Sequence, residues 1–382
     1  MYLGDPLYQS WKKAHGMKTA MSPRERVEMV LNLEVPDRVP IGDGLFQHWG
    51  FIDRYCKTRE TGKWTLEEIC RAVGNSGVDY AFDLAPSLES RREVRLGLTY
   101  QVTEWTEVIV DRPFRDLKEA VPWVKDMILK VKGSDPDAMW SFAGNTGMWG
   151  LGQGDYKADF VTKQRWLGNT VLMHTGSPAH LDTCYMMLGM EIFSYMLADE
   201  YGLLIEWYDA LCAHERARVR GCADRTLSPL ACVYCDIASK HGLMFSPKFL
   251  REEFFPRLKL LIDEWHNFGV KVIYHSEGDI APVLGDIVGA GSDGINPLEP
   301  DIVNIRSIRE EFPDLIFWGG IDNNQLLCRG TVEEVEQAVK DLVRTAGKRG
   351  RLLLGSSGQI HPANKLENIL AMFEAAKEFG WY

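Results

Sequence analysis

From about residue 229 the chain alternates short apolar runs with amphipathic stretches, and every apolar run ends in polar or glycine-rich residues. Runs of strand length fall at 230–235, 270–274, 293–296, 315–318 and 351–354. They lead into Cys235-Asp236, His275-Ser-Glu277, Asn296-Pro-Leu-Glu299, Gly319-Gly-Ile-Asp322 and Ser356-Ser-Gly-Gln-Ile-His361. This order predicts parallel βα units rather than a sandwich. In such folds chemistry gathers at the carboxyl ends of the strands. Random surface loops would not place acids and histidines on that side alone. Residues two apart on an extended chain point the same way, so His275 and Glu277 aim at one point.

The helices carry their own start signals. Ser22-Pro23-Arg24-Glu25 and Thr331-x-x-Glu334 read as capping boxes, the first with proline at the first helical position. After Thr331, an apolar stripe of Val332, Val335, Val339, Leu342 and Val343 stops at Gly347. Asn364-x-x-Glu367 reads as the opening of a helix with Leu366, Ile369, Leu370 and Phe373 inward, and Ser246-Pro247 opens another, interrupted at Pro256.

The first half is less regular. Residues 39–41 and 80–84 supply candidate first strands, the second leading toward Asp83. Alternation over 94–110 predicts an inserted antiparallel hairpin. Segment 140–170, rich in Trp and Gly, reads as a long loop or lid. No internal repeat, low-complexity tract or linker is visible, so one domain spanning 1–382 is expected.

Of the 382 residues, 45% are hydrophobic and 25% charged, an ordinary globular balance. A net charge of −11 argues against a nucleic-acid groove. No run approaches the roughly 18 apolar residues of a membrane span. The start Met1-Tyr-Leu-Gly-Asp5 lacks the pattern of a signal peptide, and the 8 cysteines are scattered. A cytoplasmic protein with reduced thiols is expected. Cys232-Val-Tyr-Cys235 lies on a predicted strand, where residues three apart face opposite sides; a disulfide or shared metal is disfavoured, and buried structural thiols are expected.

Several segments together resemble the uroporphyrinogen decarboxylase superfamily. They are Ser22-Pro-Arg-Glu-Arg-Val27 with Pro36-Asp-Arg-Val-Pro40, Asp236-Ile-Ala238, His275-Ser-Glu-Gly-Asp279, Gly294-Ile-Asn-Pro-Leu-Glu-Pro300, Phe317-Trp-Gly-Gly-Ile-Asp322 and Glu367-Asn-Ile-Leu-Ala-Met-Phe-Glu-Ala375. The resemblance implies an α/β fold: a single (β/α)8 TIM barrel, here with an inserted hairpin and a Trp/Gly-rich lid.

Two chemistries belong to that superfamily. Its decarboxylases act without cofactor on a tetrapyrrole and carry an arginine-rich segment resembling Arg-Gln-Ala-Gly-Arg-Tyr. Here Gly42-Asp-Gly-Leu-Phe-Gln-His48-Trp49 stands instead, which suits a polycarboxylate badly. Its methyltransferases use zinc and a corrinoid, and those acting on coenzyme M hold zinc with His-x-Cys and a later Cys. In this chain His275 is present, Glu277 replaces the paired Cys, and Gly358 falls where the later Cys would sit. A harder His/Glu set fits Lewis-acid chemistry at an oxygen.

The resemblance therefore implies a zinc-dependent methyltransferase that demethylates a small methylated substrate, a methoxylated aromatic first of all. The methyl group would pass to the Co(I) of a corrinoid (cobalamin) on a separate protein docking at the barrel mouth. No Asp-x-His-x-x-Gly corrinoid-binding segment is present in the chain itself. Expected metal ligands are His275, Glu277 and His361, with Glu299 or Asp236 as other candidates for the third place. Asp322, Glu299 and Asp236 are the expected catalytic acids, against a duty of binding loop amides for Asp236 and Asp322. Trp49, Trp149, Trp166 and His174 are expected to line the substrate site, against ordinary core packing for each Trp. His15, His214, His241 and His266 read as surface or helix residues without a role. The alternatives are a cofactor-free decarboxylase of a carboxylated substrate and a non-catalytic partner of a corrinoid protein. A homodimer is possible, with no interface indicated.

Overall fold

The computed structural model describes residues 20–44, 46–56, 64–82, 84, 89–103, 106–134 and 156–382. Its centre is a ring of parallel strands. In chain order these are β1 (Gly42–Asp43), β2 (Tyr80–Ala81), β3 (Val171–Leu172 continuing as His174–Pro178), β4 (Leu230–Tyr234), β5 (Lys271–His275), β6 (Gly294–Leu298), β7 (Ile316–Ile321) and β8 (Leu352–Ser356). β1, β2 and the first part of β3 pair in parallel; the second part of β3 pairs with β4, and the order continues through β5, β6, β7 and β8. The ring closes where Ile41 bridges Leu354 in parallel and the Leu354 N–H donates to the Pro40 carbonyl at 2.9 Å. Eight parallel strands in a closed order make the (β/α)8 barrel expected from the sequence.

Two apolar layers explain the near-continuous hydrophobicity of the strands, which are buried on both faces. The inward residues Tyr80, Met173, Leu230, Cys232, Ile273, Ile316, Trp318 and Leu353 form one cluster. The same cluster takes in Val27, Val30 and Leu31 from the helix Pro23–Leu31, which stoppers the amino-terminal end of the barrel. Outward residues such as Ala231, Val233, Val272 and Phe317 join the larger core beneath the surrounding helices. Cys232 lies in the inner cluster and Cys235 in the outer one, so the CxxC pair faces opposite sides as its spacing predicts, and the two are not joined in a disulfide.

The local signals act as read. Both capping boxes are formed, at Ser22/Glu25 and Thr331/Glu334. A π-helical turn at Leu250–Phe254 precedes Pro256, where the missing N–H breaks the regular ladder, and the helix resumes at Phe255–Asn267. The predicted hairpin is a three-stranded antiparallel sheet, Arg91–Arg95, Leu98–Val102 and Glu107–Asp111.

Three expectations change. The first barrel strand is Gly42–Asp43, just past 39–41. The second half of the presumed lid is the helix Tyr156–Leu167; residues 135–155, with Trp149, lie outside the described residues, as does Asp83. Asn364 does not cap the helix Leu366–Phe379: its Oδ1 accepts from the His361 N–H at 2.9 Å, and its amide donates to the Asn323 carbonyl at 2.7 Å.

A buried ion network fixes the closed end. Asp79 receives Arg26 and Arg38, the latter at 2.7 Å, and Arg26 also binds Asp37 at 2.6 Å. This gives Pro36-Asp37-Arg38 a structural duty far from the strands' carboxyl ends. Among the described residues no helix is long and apolar enough to cross a membrane.

Candidate active site

The carboxyl ends of β4 to β7 open onto a cavity of about 950 Å³ whose lining includes Tyr185, Asp236, Glu277, Glu299 and Asp322. Each acid stands there because its strand ends there, and the four predicted carboxylates converge on one space. His275 is the last residue of β5. Its side chain points inward like Ile273 two residues earlier.

The histidine is tied on one side only. Its Nδ1 lies 2.6 Å from Asn296 Oδ1, and Asn296 Nδ2 donates to the Trp318 carbonyl at 3.2 Å. The Nε2 faces Asp236 Oδ1 at 3.9 Å, beyond hydrogen-bond length. Asp236 Oδ1 accepts instead from the Glu277 N–H at 2.9 Å, and Glu299 Oε2 accepts from the Gly278 N–H at 2.8 Å. The His-Ser-Glu-Gly loop is thus held by two neighbouring carboxylates.

Crowding of acids sets the electrostatics. Burial first, then the negative charge of Asp236, raises the Glu277 carboxyl above its ordinary range, with His275 acting in the opposite sense. Glu299 is raised for the same first reason, and Glu277 and Asp236 add to it against the Gly278 N–H. Behind Asp236 lies Asp182, 8% exposed, whose backbone N–H donates to Cys235 Sγ at 3.3 Å. Burial and the charge of Asp236 push Asp182 up to about 7. Tyr185 donates its hydroxyl to the Asp236 carbonyl at 3.0 Å. Sequence reasoning missed Asp182 and Tyr185: they stand on the helix Leu181–Leu188, and nothing in the spacing set them apart. His241, given no role, lies on the rim of the same cavity.

Asp322 lines the cavity, yet its carboxylate is engaged by the N–H groups of Asn324, Gln325 and Leu326, the nearest at 2.7 Å. The loop-amide duty weighed for it is the one it performs. His361 does not join His275: its Nδ1 accepts from the Ala363 N–H at 3.3 Å, and its ring sits against Asn364.

His174 is a correction. It is fully buried on the outer face of β3, stacked on Tyr156 and tilted against Trp265, with Nδ1 2.9 Å from the Tyr156 hydroxyl and Nε2 3.1 Å from the Asp224 carbonyl. Its strand does not end there, so its side chain never reaches the mouth. Trp166 is another: it lines a cavity with Arg26, Arg38 and Asp79 at the opposite, amino-terminal end of the barrel. Trp49 begins the helix Trp49–Tyr55 after β1 and packs, partly buried, against the outer core. Its packing is the ordinary kind.

By donor type the mouth suits a hard or borderline divalent ion: one imidazole nitrogen faces the carboxylates of Asp236 and Glu277. Among the described residues, no three His, Cys, Asp or Glu side chains stand ready as a cage. Holding an ion there requires a carboxylate to swing inward. Among the described residues the lining carries no arginine; Lys240 and His241 are its basic side chains there.

Residues 227–379, which carry β4 to β8, match the uroporphyrinogen decarboxylase (URO-D) family model. Over that segment, the second half of the barrel, the chain is uroporphyrinogen decarboxylase-like. The likeness read from the sequence segments is borne out, and the strand ends that carry it are the ones that build the mouth. Among solved structures, a methyltransferase from Methanosarcina mazei superposes with a TM-score of 0.61 at 16% identity, covering 94% of this chain and 99% of that one. At that identity the likeness is one of fold. No curated protein sequence matches.

Proposed function

We propose that this uroporphyrinogen decarboxylase-like barrel is a methyltransferase that takes a methyl group from a small methylated substrate, with methoxylated aromatics first, and delivers it to the corrinoid of a separate protein. The observation that carries the reading is the convergence of Asp236, Glu277 and Glu299 on one cavity, with His275 Nε2 3.9 Å from the Asp236 carboxylate and no arginine among the described lining residues. Oxygen and nitrogen donors without a thiolate favour work at an oxygen-bound methyl group. A polyanionic substrate, as the decarboxylase alternative needs, would meet repulsion from this lining. The methyltransferase fold of the Methanosarcina mazei neighbour supports the same choice.

His275, with Glu277 and Asp236 turned inward, are the proposed zinc ligands in place of a set containing His361. Zinc held there would supply Lewis acidity toward the substrate's ether oxygen, and the partner's corrinoid would supply the Co(I) acceptor. The chain's own residues do the rest. Glu299, raised by burial and fixed by the Gly278 N–H, is placed to give its proton to the leaving phenolate oxygen. Tyr185 offers an aromatic wall. Methyl ether, Co(I) corrinoid and one proton become phenol and methylated corrinoid.

Metal content of the purified protein tests this, with His275→Ala and Glu277→Ala alongside. Near-stoichiometric zinc lost in both variants is the expected result, together with phenol release from a methoxylated aromatic when a Co(I) corrinoid is added. A wild-type protein that neither contains nor takes up zinc would overturn it.

A further inference from the structure

We propose that Asn296 is a positioning residue that fixes which nitrogen of His275 carries the proton, so that Nε2 presents its lone pair to the mouth. The inference deepens the reading above and rests on His275 being the working imidazole of that site. It follows from a chain of acceptor and donor roles. The Trp318 carbonyl can only accept, so the Asn296 atom 3.2 Å from it is the amide NH2. The remaining Asn296 atom is therefore the carbonyl oxygen, which can only accept. At 2.6 Å from it, His275 Nδ1 must carry the proton and donate. A neutral imidazole protonated at Nδ1 has its lone pair on Nε2, the nitrogen facing Asp236 Oδ1 at 3.9 Å.

The fold makes the relay available. β5 and β6 place His275 directly opposite Asn296. Between β6 and β7 the register slips after Ile295 and resumes at Leu298. That slip lies beside the Trp318 carbonyl, which takes the Asn296 amide. Asn296 is only 6% exposed, so water does not compete for its amide. An aspartate at 296 would also accept from Nδ1; a leucine would accept from nothing.

Nitrogen NMR of the nine-histidine chain, labelled at the ring nitrogens and recorded metal-free at a pH where His275 is neutral, reads the proton's position directly. His275→Gln assigns the signals. The expected wild-type pattern is a pyrrole-type Nδ1 and a pyridine-type Nε2. Asn296→Leu should release the ring toward the Nε2–H form that histidine favours in water, and Asn296→Asp should keep Nδ1–H. A wild-type His275 with its proton on Nε2 overturns the proposal without any variant. An Asn296→Leu protein that folds, by circular dichroism, and still shows Nδ1–H overturns it too.

Zinc competition provides a second readout. Asn296→Leu should weaken binding by about 10–100-fold, and Asn296→Asp should recover most of it. A zinc-free, inactive wild type with Nδ1–H at His275 would sink the methyltransferase reading and leave this inference standing. An active enzyme with Nε2–H would do the reverse.

Discussion

The carboxylate of Asp236 stands 3.9 Å from His275 Nε2 and takes its hydrogen bond from the Glu277 backbone N–H instead. One side chain therefore does two jobs: it orients the loop after β5 and sets negative charge opposite the imidazole. Asp236→Asn separates them, because an amide oxygen still accepts from Glu277. The variant should melt within a degree or two of wild type and bind zinc at least about tenfold more weakly in a competition titration. A large loss of melting temperature would mean that the loop depends on the charge.

Asp182 should make the protein less stable as pH rises. Its folded pKa, about 7, lies above the ordinary 3.8, so its stabilising contribution is complete below pH 3.8 and lost as pH climbs through 7. The full difference is on the order of 4 kcal/mol. Asp182→Asn cannot ionise and keeps an acceptor for the Thr183 N–H that Oδ1 now takes at 2.8 Å. Urea unfolding should therefore show the variant gaining on wild type between pH 5 and pH 8.

His174 and His180 act in the opposite direction. Burial depresses each from 6.5 to about 4, so the stability they confer is present above pH 6.5 and lost as pH falls through 4. Each is worth on the order of 3 kcal/mol across that window. His174→Phe, which keeps a ring against Tyr156 and Trp265, should flatten the fall in urea midpoint between pH 6.5 and 4.5. An unchanged slope would show that His174 is neutral in neither state or both.

Much of the barrel was legible because period-2 and period-3.6 patterns act locally. Strand ends at Asp236, His275, Glu299 and Asp322 could be read from where apolar runs stop, and all four reach the mouth. The misses share a physical cause. His174 follows an apolar run that does not end there, and a strand's two faces cannot be told apart at a single residue; it went outward. Trp166 was read as loop, yet it belongs to a helix whose carboxyl end returns to the amino-terminal side of the barrel. His361 lies near the right strand end in sequence, but hydrogen bonds from the Asn323 amide to the Gln359 carbonyl and from the Asn364 amide to the Asn323 carbonyl turn its loop elsewhere. Asp182 and Tyr185 gain meaning only from the end of the neighbouring strand β4, Cys235 and Asp236, about 50 residues away in sequence, which no local pattern encodes.

The Asp79 network should be costly to break. Asp79→Ala leaves Arg26 and Arg38 with only part of their buried countercharge. A loss of about 3–5 kcal/mol in chemical denaturation is expected. Asp322→Ala, which removes the acceptor for three loop amides, should cost about 1–2 kcal/mol.

Trp166→Ala should leave KM unchanged for any substrate, because the residue sits beside Arg26 and Arg38 at the far end of the barrel. Tyr185→Ala should raise KM severalfold. Steady-state kinetics on the two variants checks both statements, and a KM effect at Trp166 would relocate the substrate.

The helix Pro23–Leu31 seals the amino-terminal end with Val27, Val30 and Leu31. Among the described residues the barrel is then a cul-de-sac with one doorway, and whatever enters must leave by the way it came. On the proposed methyltransferase reading, a donor molecule and a corrinoid borne by another protein cannot approach from opposite ends of such a tube. They must share one entrance, so the partner that docks last becomes the door, and the spent donor waits behind it until the partner departs.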